Sequence, residues 1–295
     1  MIIQLNHPGN QKPFSQKRLL NDGNGYIYKD NNIIRLWNTD KSHYRKFICC
    51  KGKYIENIND TFPKHSELYF WGEWEGHSRF EPINNDLDKR VFPNGIHYPF
   101  HFIQQSWKQN TDPYIFGNEF KYAECKQKGQ MCNLINDDLI LFGTVFPSLK
   151  CFYLDTVFVV DDFESSIDVS VNNVANYTNI YREVTLEQLG TTYINQTVLN
   201  QKRIYKGKKW SQNNKSYFSF VPSKSKLVDK AGFERLRIDF SEFQKLGLST
   251  NTTGLSYLKE SSLNNNELWF YLVEKCEAQE FNLGIEFEEP HEESL

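Results

Sequence analysis

Over residues 1–66 short apolar pieces, "GYIYKD", "NIIRLWN" and "RKFICCKGKYIENI", alternate with Asn, Asp and Gly. Segments of four to seven residues between turn signals predict strands, and "ELYFWGEWE" (67–75) continues the pattern. "SRFEPINNDLDKRVFPNGIHYPFHF" (78–102) is rich in proline and turn residues and predicts a long irregular loop over 76–110. A loop of that size inside a compact chain usually has a function. "DDLILFGTVFPSLKCFYLDTVFVVDDF" predicts two buried strands around a Pro147-Ser148 turn, clearest at 139–142 and 152–160.

Beyond about residue 165 the texture changes. "TLEQLG" predicts a short helix with a threonine cap and a terminal glycine, while "SYFSFV" and "ERLRIDF" alternate like strands. Leu268, Tyr271, Leu272 and Cys276 fall at helical offsets of three and four. The expected fold is α+β: a β-rich, mostly antiparallel or barrel-like sheet with a few peripheral helices. Residues 1–165 form the β-rich domain, and 166–295 an α+β portion open to being continuous with it.

Composition narrows the setting. With 295 residues the chain is long enough to bury a core without disulfide staples. Its opening lacks a basic start, an apolar stretch and a small-residue cleavage site, and its longest apolar tract, "CFYLDTVFVV", is too short to span a membrane. Six scattered cysteines have no framework spacing. A reduced, soluble, cytoplasmic protein is expected, with no membrane partner. Net charge is only −3, but from Lys202 to Lys226 there are eight basic side chains and no acidic one. From Glu267 to Glu293 nine glutamates face one lysine. That asymmetry predicts a basic ligand-facing patch or two surfaces that attract each other.

The chemistry concentrates in "ELYFWGEWEG". As a strand, 68–75 would put Tyr69, Trp71, Glu73 and Glu75 on one face and Leu68, Phe70, Gly72 and Trp74 on the other. Two carboxylates beside aromatic rings suit a general acid, or a base held by stacking on Trp71 and by hydrogen bonds to a carboxylate. The plainer alternative is an exposed face whose glutamates pair with lysines. Ser78, Arg79, His97 and His101 come from the loop that follows at once and would be able to gather around the same face; His65 and His77 flank the strand.

Elsewhere the signals are thinner. His97, His101, Cys125 and Cys132 are potential zinc ligands, but Pro99 interrupts the histidine pair, so no metal is assigned. Cys49-Cys50 has no local base, and buried structural thiols are the default. In the basic stretch Lys208 and Lys209 alternate with Trp210 and Tyr217, a mixture that fits phosphate and base contact; lysines guarding an edge strand are the competing reading.

Two resemblances follow from these residues. "NTDPYIFG" (110–117) is similar to the water-activating loop of uracil-DNA glycosylases, which makes Asp112 a candidate, although the stretch before it is polar rather than an apolar strand. "NDDLILFGTVF" and "FYLDTVFVV" (136–160) resemble PUA-like β-barrels, the superfamily of EVE and ASCH domains, and prokaryotic domains associated with nucleotide modification. There a glycine usually precedes the acidic residue where this chain has Asn136-Asp137-Asp138. The resemblance implies a barrel holding a modified or flipped base between aromatic walls.

The expected function is binding of a nucleic-acid base or nucleotide, in nucleic-acid modification or its recognition. Trp71, Arg79, Lys208, Lys209, Trp210 and Tyr217 would bind the nucleotide, and Glu73, Glu75, His97 and Asp112 would supply chemistry. The alternatives are a carboxylate-dependent hydrolase of glycosyl type and a protein-interaction module. No cofactor is identified.

Overall fold

A computed structural model describes residues 1–7, 34–35, 45–83, 91–102, 111–123, 131, 133–164, 177–186, 203–257 and 263–293. Along it run β1 (Ile2–Asn6), β2 (Ile34–Arg35), β3 (Lys46–Ile55), β4 (Lys64–Gly72), β5 (Ser78–Pro82) and β6 (Gly95–Pro99). Next come β7 (His101–Phe102), β8 (Lys121–Tyr122), β9 (Leu139–Phe146) and β10 (Cys151–Glu164). A helical turn at Asn179–Tyr181 precedes β11 (Ile204–Gly207), β12 (Val221–Lys224) and β13 (Leu236–Asp239). The chain closes with α1 (Phe240–Leu246), β14 (Gly254–Tyr257), α2 (Asn265–Ala278), β15 (Asn282–Phe287) and β16 (Glu292–Glu293).

The fold is α+β and mostly antiparallel, as the apolar periodicity predicts. One sheet has the order β14-β1-β9-β10-β11-β8, with β13 also on β10. The other runs β15-β12-β4-β3-β6-β5-β2, and β15 returns to β3, closing β3, β4, β12 and β15 into a barrel-like ring. Strands from both sides of residue 165 share both sheets, so the two portions of the chain are interleaved.

The first sheet is buried on both faces. Ile140, Phe142, Phe158 and Val160 pack toward the second sheet, while Leu139, Leu141, Val157 and Val159 pack against Leu268, Trp269 and Leu272 of α2. Burial on two faces is why β9 and β10 read as continuous apolar runs. Asn264 starts α2 with a capping box to Glu267, satisfying two orphan backbone donors.

In β10 the register on β9 shifts at one point: Leu154 opposes Gly143, and Thr156 opposes Phe142. Asp155 is the extra residue of a bulge. Before it Phe152 and Leu154 face the α2 core; after it Val157 and Val159 do. The bulge reverses the parity of the strand and re-aims Asp155. The two strands nearly touch here, since a Cβ on Gly143 would lie 2.2 Å from the Tyr153 carbonyl oxygen.

Three expectations change. The strand over 68–75 stops at Gly72, because the backbone beyond it is no longer held by the β3 ladder, which ends at the Lys46–Gly72 pair. The irregular loop of 76–110 contains the antiparallel hairpin β5–β6, with Phe80 opposite His97; its alternation was masked by proline at the strand ends, Pro82 and Pro99. Of "TLEQLG", Thr185 and Leu186 end a π-turn, and the rest lies outside the described residues.

Candidate functional site: a buried ionic circuit between the sheets

Extending two strand ladders by one residue builds the centre of the site. Lys46 pairs with Gly72, so Arg45 stands opposite Glu73, and its Nη1 donates to Glu73 Oε2 at 2.7 Å. Leu236 pairs with Leu154, so Arg235 stands opposite the bulged Asp155. Arg235 Nε and Nη2 donate to Asp155 Oδ1 and Oδ2 at 2.8 and 2.5 Å.

The two pairs are joined across the sheets by Arg45 Nε, 2.9 Å from Asp155 Oδ2. Arg235 Nη2 also donates to Thr144 Oγ1 at 2.9 Å, whose hydroxyl donates to the His7 carbonyl at 2.8 Å. His7 Nδ1 lies 3.5 Å from Glu73 Oε2. The contacts therefore close a circuit: His7, Glu73, Arg45, Asp155, Arg235, Thr144 and back. Both arginines are only 2% exposed. Burial pushes the Asp155 carboxyl up and the Arg235 guanidinium down, each opposed by the other's charge.

Trp71 borders this circuit. The Arg235 guanidinium carbon is 5.8 Å from its ring centroid and 5.6 Å from that of Tyr153. The indole N–H donates to the Phe233 carbonyl at 3.0 Å, and the ring packs on Phe47. Alternation survives past the strand end, since Trp74 joins the opposite core with Leu68 and Phe70. The face carrying Trp71 and Glu73 is buried, and Glu73 meets a guanidinium there.

The remaining sequence candidates are distributed around it. Glu75 is buried, and its backbone N–H donates to Thr111 Oγ1 at 3.0 Å. The neighbouring Asp112 is buried, and its Oδ1 accepts from the Ala123 N–H at 3.0 Å. His97 is buried on Ser78, Oγ to Nδ1 2.6 Å. His101 contacts Glu183 at 2.9 Å. His77 stacks on Phe100, and burial, with Lys46 and His101 adding, lowers its pKa to about 4.

Arg79 is exposed and lies over Phe100; exposed His65 pairs with Glu288. Lys208 pairs with Asp137 at 2.7 Å, and Tyr217 donates to the Asp137 carbonyl. Tyr217 is buried and Trp210 half-buried, leaving Lys209 exposed. The rings of the basic stretch thus turn inward while part of its charge faces solvent. Cys49 is pushed up to about 12 by burial, with Glu67 adding, which makes it a poor nucleophile. Cys125 and Cys132 lie outside the described residues, among which no cluster of three or more His, Cys, Asp or Glu is placed to hold a metal. No helix of the described residues is long and apolar enough to cross a membrane.

Sequence reasoning missed Arg45, Asp155 and Arg235. Asp155 had a signal: a lone carboxylate inside the longest apolar tract. The arginines had none, since each lies one residue before a strand.

No family model, curated protein or solved structure matches the chain.

Several guanidinium nitrogens of the circuit lack a hydrogen-bond partner among the described residues. Arg45 Nη2 and Arg235 Nη1 are buried with no acceptor among the described residues, and Arg45 Nε has only its ionic contact with Asp155. Each unmet donor costs about 1–3 kcal/mol, and a purely structural cluster of this kind is often as stable when replaced by apolar side chains. Two guanidiniums already face two carboxylates, so the unmet N–H groups suit a neutral acceptor, such as a ring carbonyl or ring nitrogen, better than a phosphate.

Proposed function

We propose that this protein binds a nucleic-acid base, free or within a nucleotide or polynucleotide, and that the circuit of Arg45, Glu73, Asp155 and Arg235 reads the edge of the base. The observation that carries this reading is that two buried guanidinium nitrogens, Arg45 Nη2 and Arg235 Nη1, have no acceptor among the described residues. Arginine donors paired with the oxygen and nitrogen acceptors of a base edge are the commonest specific contact to guanine, and the carboxylates would accept from exocyclic amines. The indole of Trp71 and the ring of Tyr153 flank the guanidinium that would do this.

The resemblance of residues 136–160 to PUA-like barrels belongs to the same proposal, because β9 and β10 carry Thr144 and Asp155. Exposed cations of the basic stretch, Lys209 and Lys226, would meet phosphate in a longer ligand. The circuit is closed to solvent, so a base reaches it only by displacing the side chains that cover it, and association slower than the usual 10⁵–10⁷ M⁻¹s⁻¹ range is expected.

Titrating nucleosides, nucleotides and single- and double-stranded oligonucleotides at two salt concentrations tests the reading. Saturable binding of at least one nucleoside, nearly independent of salt, supports it. Absence of binding by every member at low salt removes it.

A further inference from the structure

A second feature stands apart from the circuit. Between Gly117–Lys121, Tyr177–Tyr181 and the end of β15 lies a cleft of about 470 Å³, within the size range of small-molecule sites. Tyr177 and Tyr181, whose ring centroids are 5.4 Å apart, form one wall. Four carboxylates line it, from Glu119, Glu286, Glu288 and Glu289, together with the amines of Lys121 and Lys206.

Most of the carboxylates are already committed. Glu286 holds Lys53 at 2.8 Å, and exposed Glu288 meets His65 at 3.1 Å. Glu289 accepts from the Tyr114 and Thr178 hydroxyls at 2.8 and 2.7 Å. Lys121 differs. Its backbone is clamped by reciprocal hydrogen bonds to Tyr114 of 2.7 and 2.8 Å, and no ion pair holds its amine among the described residues. The amine makes a long 3.4 Å contact to the Glu119 carbonyl and lies 5.2 Å from the Tyr181 ring centroid and 5.7 Å from that of Tyr114.

Lys206 stands directly opposite Lys121 in the β8–β11 ladder. Burial holds the Lys121 pKa below that of an exposed lysine; Glu119 and Glu289 pull it back in part, and Lys209 and Lys206 depress it further. A rigidly placed, half-buried amine on the wall of an aromatic cleft, lacking a carboxylate partner, is the arrangement in which lysine acts as a nucleophile toward carbonyl groups.

We propose that Lys121 forms an imine with a neutral, hydroxyl-bearing aldehyde or ketone bound in this cleft. The neutral amine adds to the carbonyl carbon, and the carbinolamine loses one water as the C=N bond forms; no oxidant or reductant is involved. The tyrosine wall takes the planar part of the ligand, and carboxylate oxygens on the rim accept from its hydroxyls. The four carboxylates select against phosphorylated or carboxylated carbonyl compounds. This site is independent of the base-reading circuit.

The test uses pyridoxal, a hydroxyl-bearing aromatic aldehyde, and pyridoxal phosphate as its anionic counterpart. Each is incubated with the full chain near neutral pH, trapped with borohydride and located by peptide mass spectrometry. Pyridoxal is expected to label Lys121 at least about tenfold faster than exposed Lys51, and pyridoxal phosphate to show no such preference. Lys121→Arg, which retains the cation over the tyrosine rings, should lose that label and leave the others unchanged. Labelling of wild-type lysines in order of their exposure, with Lys121 undistinguished, overturns the proposal whether or not the variant folds. Preferential labelling of Lys121 by the phosphate overturns the assignment of a neutral ligand.

Discussion

Arg45 and Glu73 face each other one position beyond the end of the β3–β4 ladder, joined at 2.7 Å and sealed from solvent. Neither residue belongs to a strand, yet the ladder fixes both. The second pair, Arg235 and Asp155, repeats the arrangement on the other sheet, and Arg45 bridges the two. Charge therefore pins the sheets together at the starts of β3 and β13, the end of β4 and the bulge in β10.

Truncating Arg45 to Met leaves Glu73 buried without its guanidinium, and unfolding in urea should show a loss of about 3–5 kcal/mol. Replacing both, Arg45→Met with Glu73→Leu, should recover much of that loss, because the orphaned charge goes with its partner. Losses that simply add would mean the two residues do not interact.

Stability should also carry a signature of His77. Its native pKa of about 4 lies below the ordinary 6.5, so the folded chain prefers the neutral ring. The stability this contributes is complete above pH 6.5 and falls as pH drops from 6.5 toward 4, because only the unfolded chain takes up the proton in that window. The loss amounts to about 3 kcal/mol. Lys46 and His101 face the ring and oppose its protonation. His77→Gln should flatten this part of the pH–stability profile, and an unchanged slope would assign it to other groups.

Much of the architecture was legible in the chain. β9, β10 and α2 announce themselves because burial on two faces gives continuous apolar runs and burial on one face gives helical spacing. What stayed hidden was non-local. The sequence predicts that Trp71 and Glu73 share a side, and they do; that the side is covered depends on Phe233 and Arg235, more than 160 positions away. The bulge at Asp155 is set by pairing with Gly143, which no local window contains. The β5–β6 hairpin was obscured because proline at a strand end and proline in a loop look alike in one dimension.

Gly143 should tolerate no side chain. A Cβ there would sit 2.2 Å from the Tyr153 carbonyl and 2.4 Å from the Phe152 ring. Gly143→Ala is expected to cost about 3 kcal/mol, the upper part of the overpacking range, and to disturb Asp155 through the bulge. A Tm equal to that of the wild type would show that β9 and β10 do not approach so closely.

Stability and ligand binding should separate at the cap of α2. Asn264 accepts from the Glu267 N–H at 3.0 Å, and Asn264→Ala should cost about 1 kcal/mol while leaving nucleoside affinity unchanged. A parallel fall in affinity would tie α2 to the site.

The central claim is that the unmet guanidinium nitrogens await a base acceptor, and a paired-deletion titration tests it most directly. The tightest-binding nucleoside is compared with an analogue whose ring carbonyl oxygen is replaced by hydrogen, on the wild-type chain and on Arg235→Lys, which keeps the charge against Asp155. The wild type should lose at least about tenfold in affinity for the analogue, worth about 1.4 kcal/mol, and Arg235→Lys should bind both ligands equally weakly. Equal affinity of the wild type for nucleoside and analogue, or an undiminished preference in Arg235→Lys, would contradict the account.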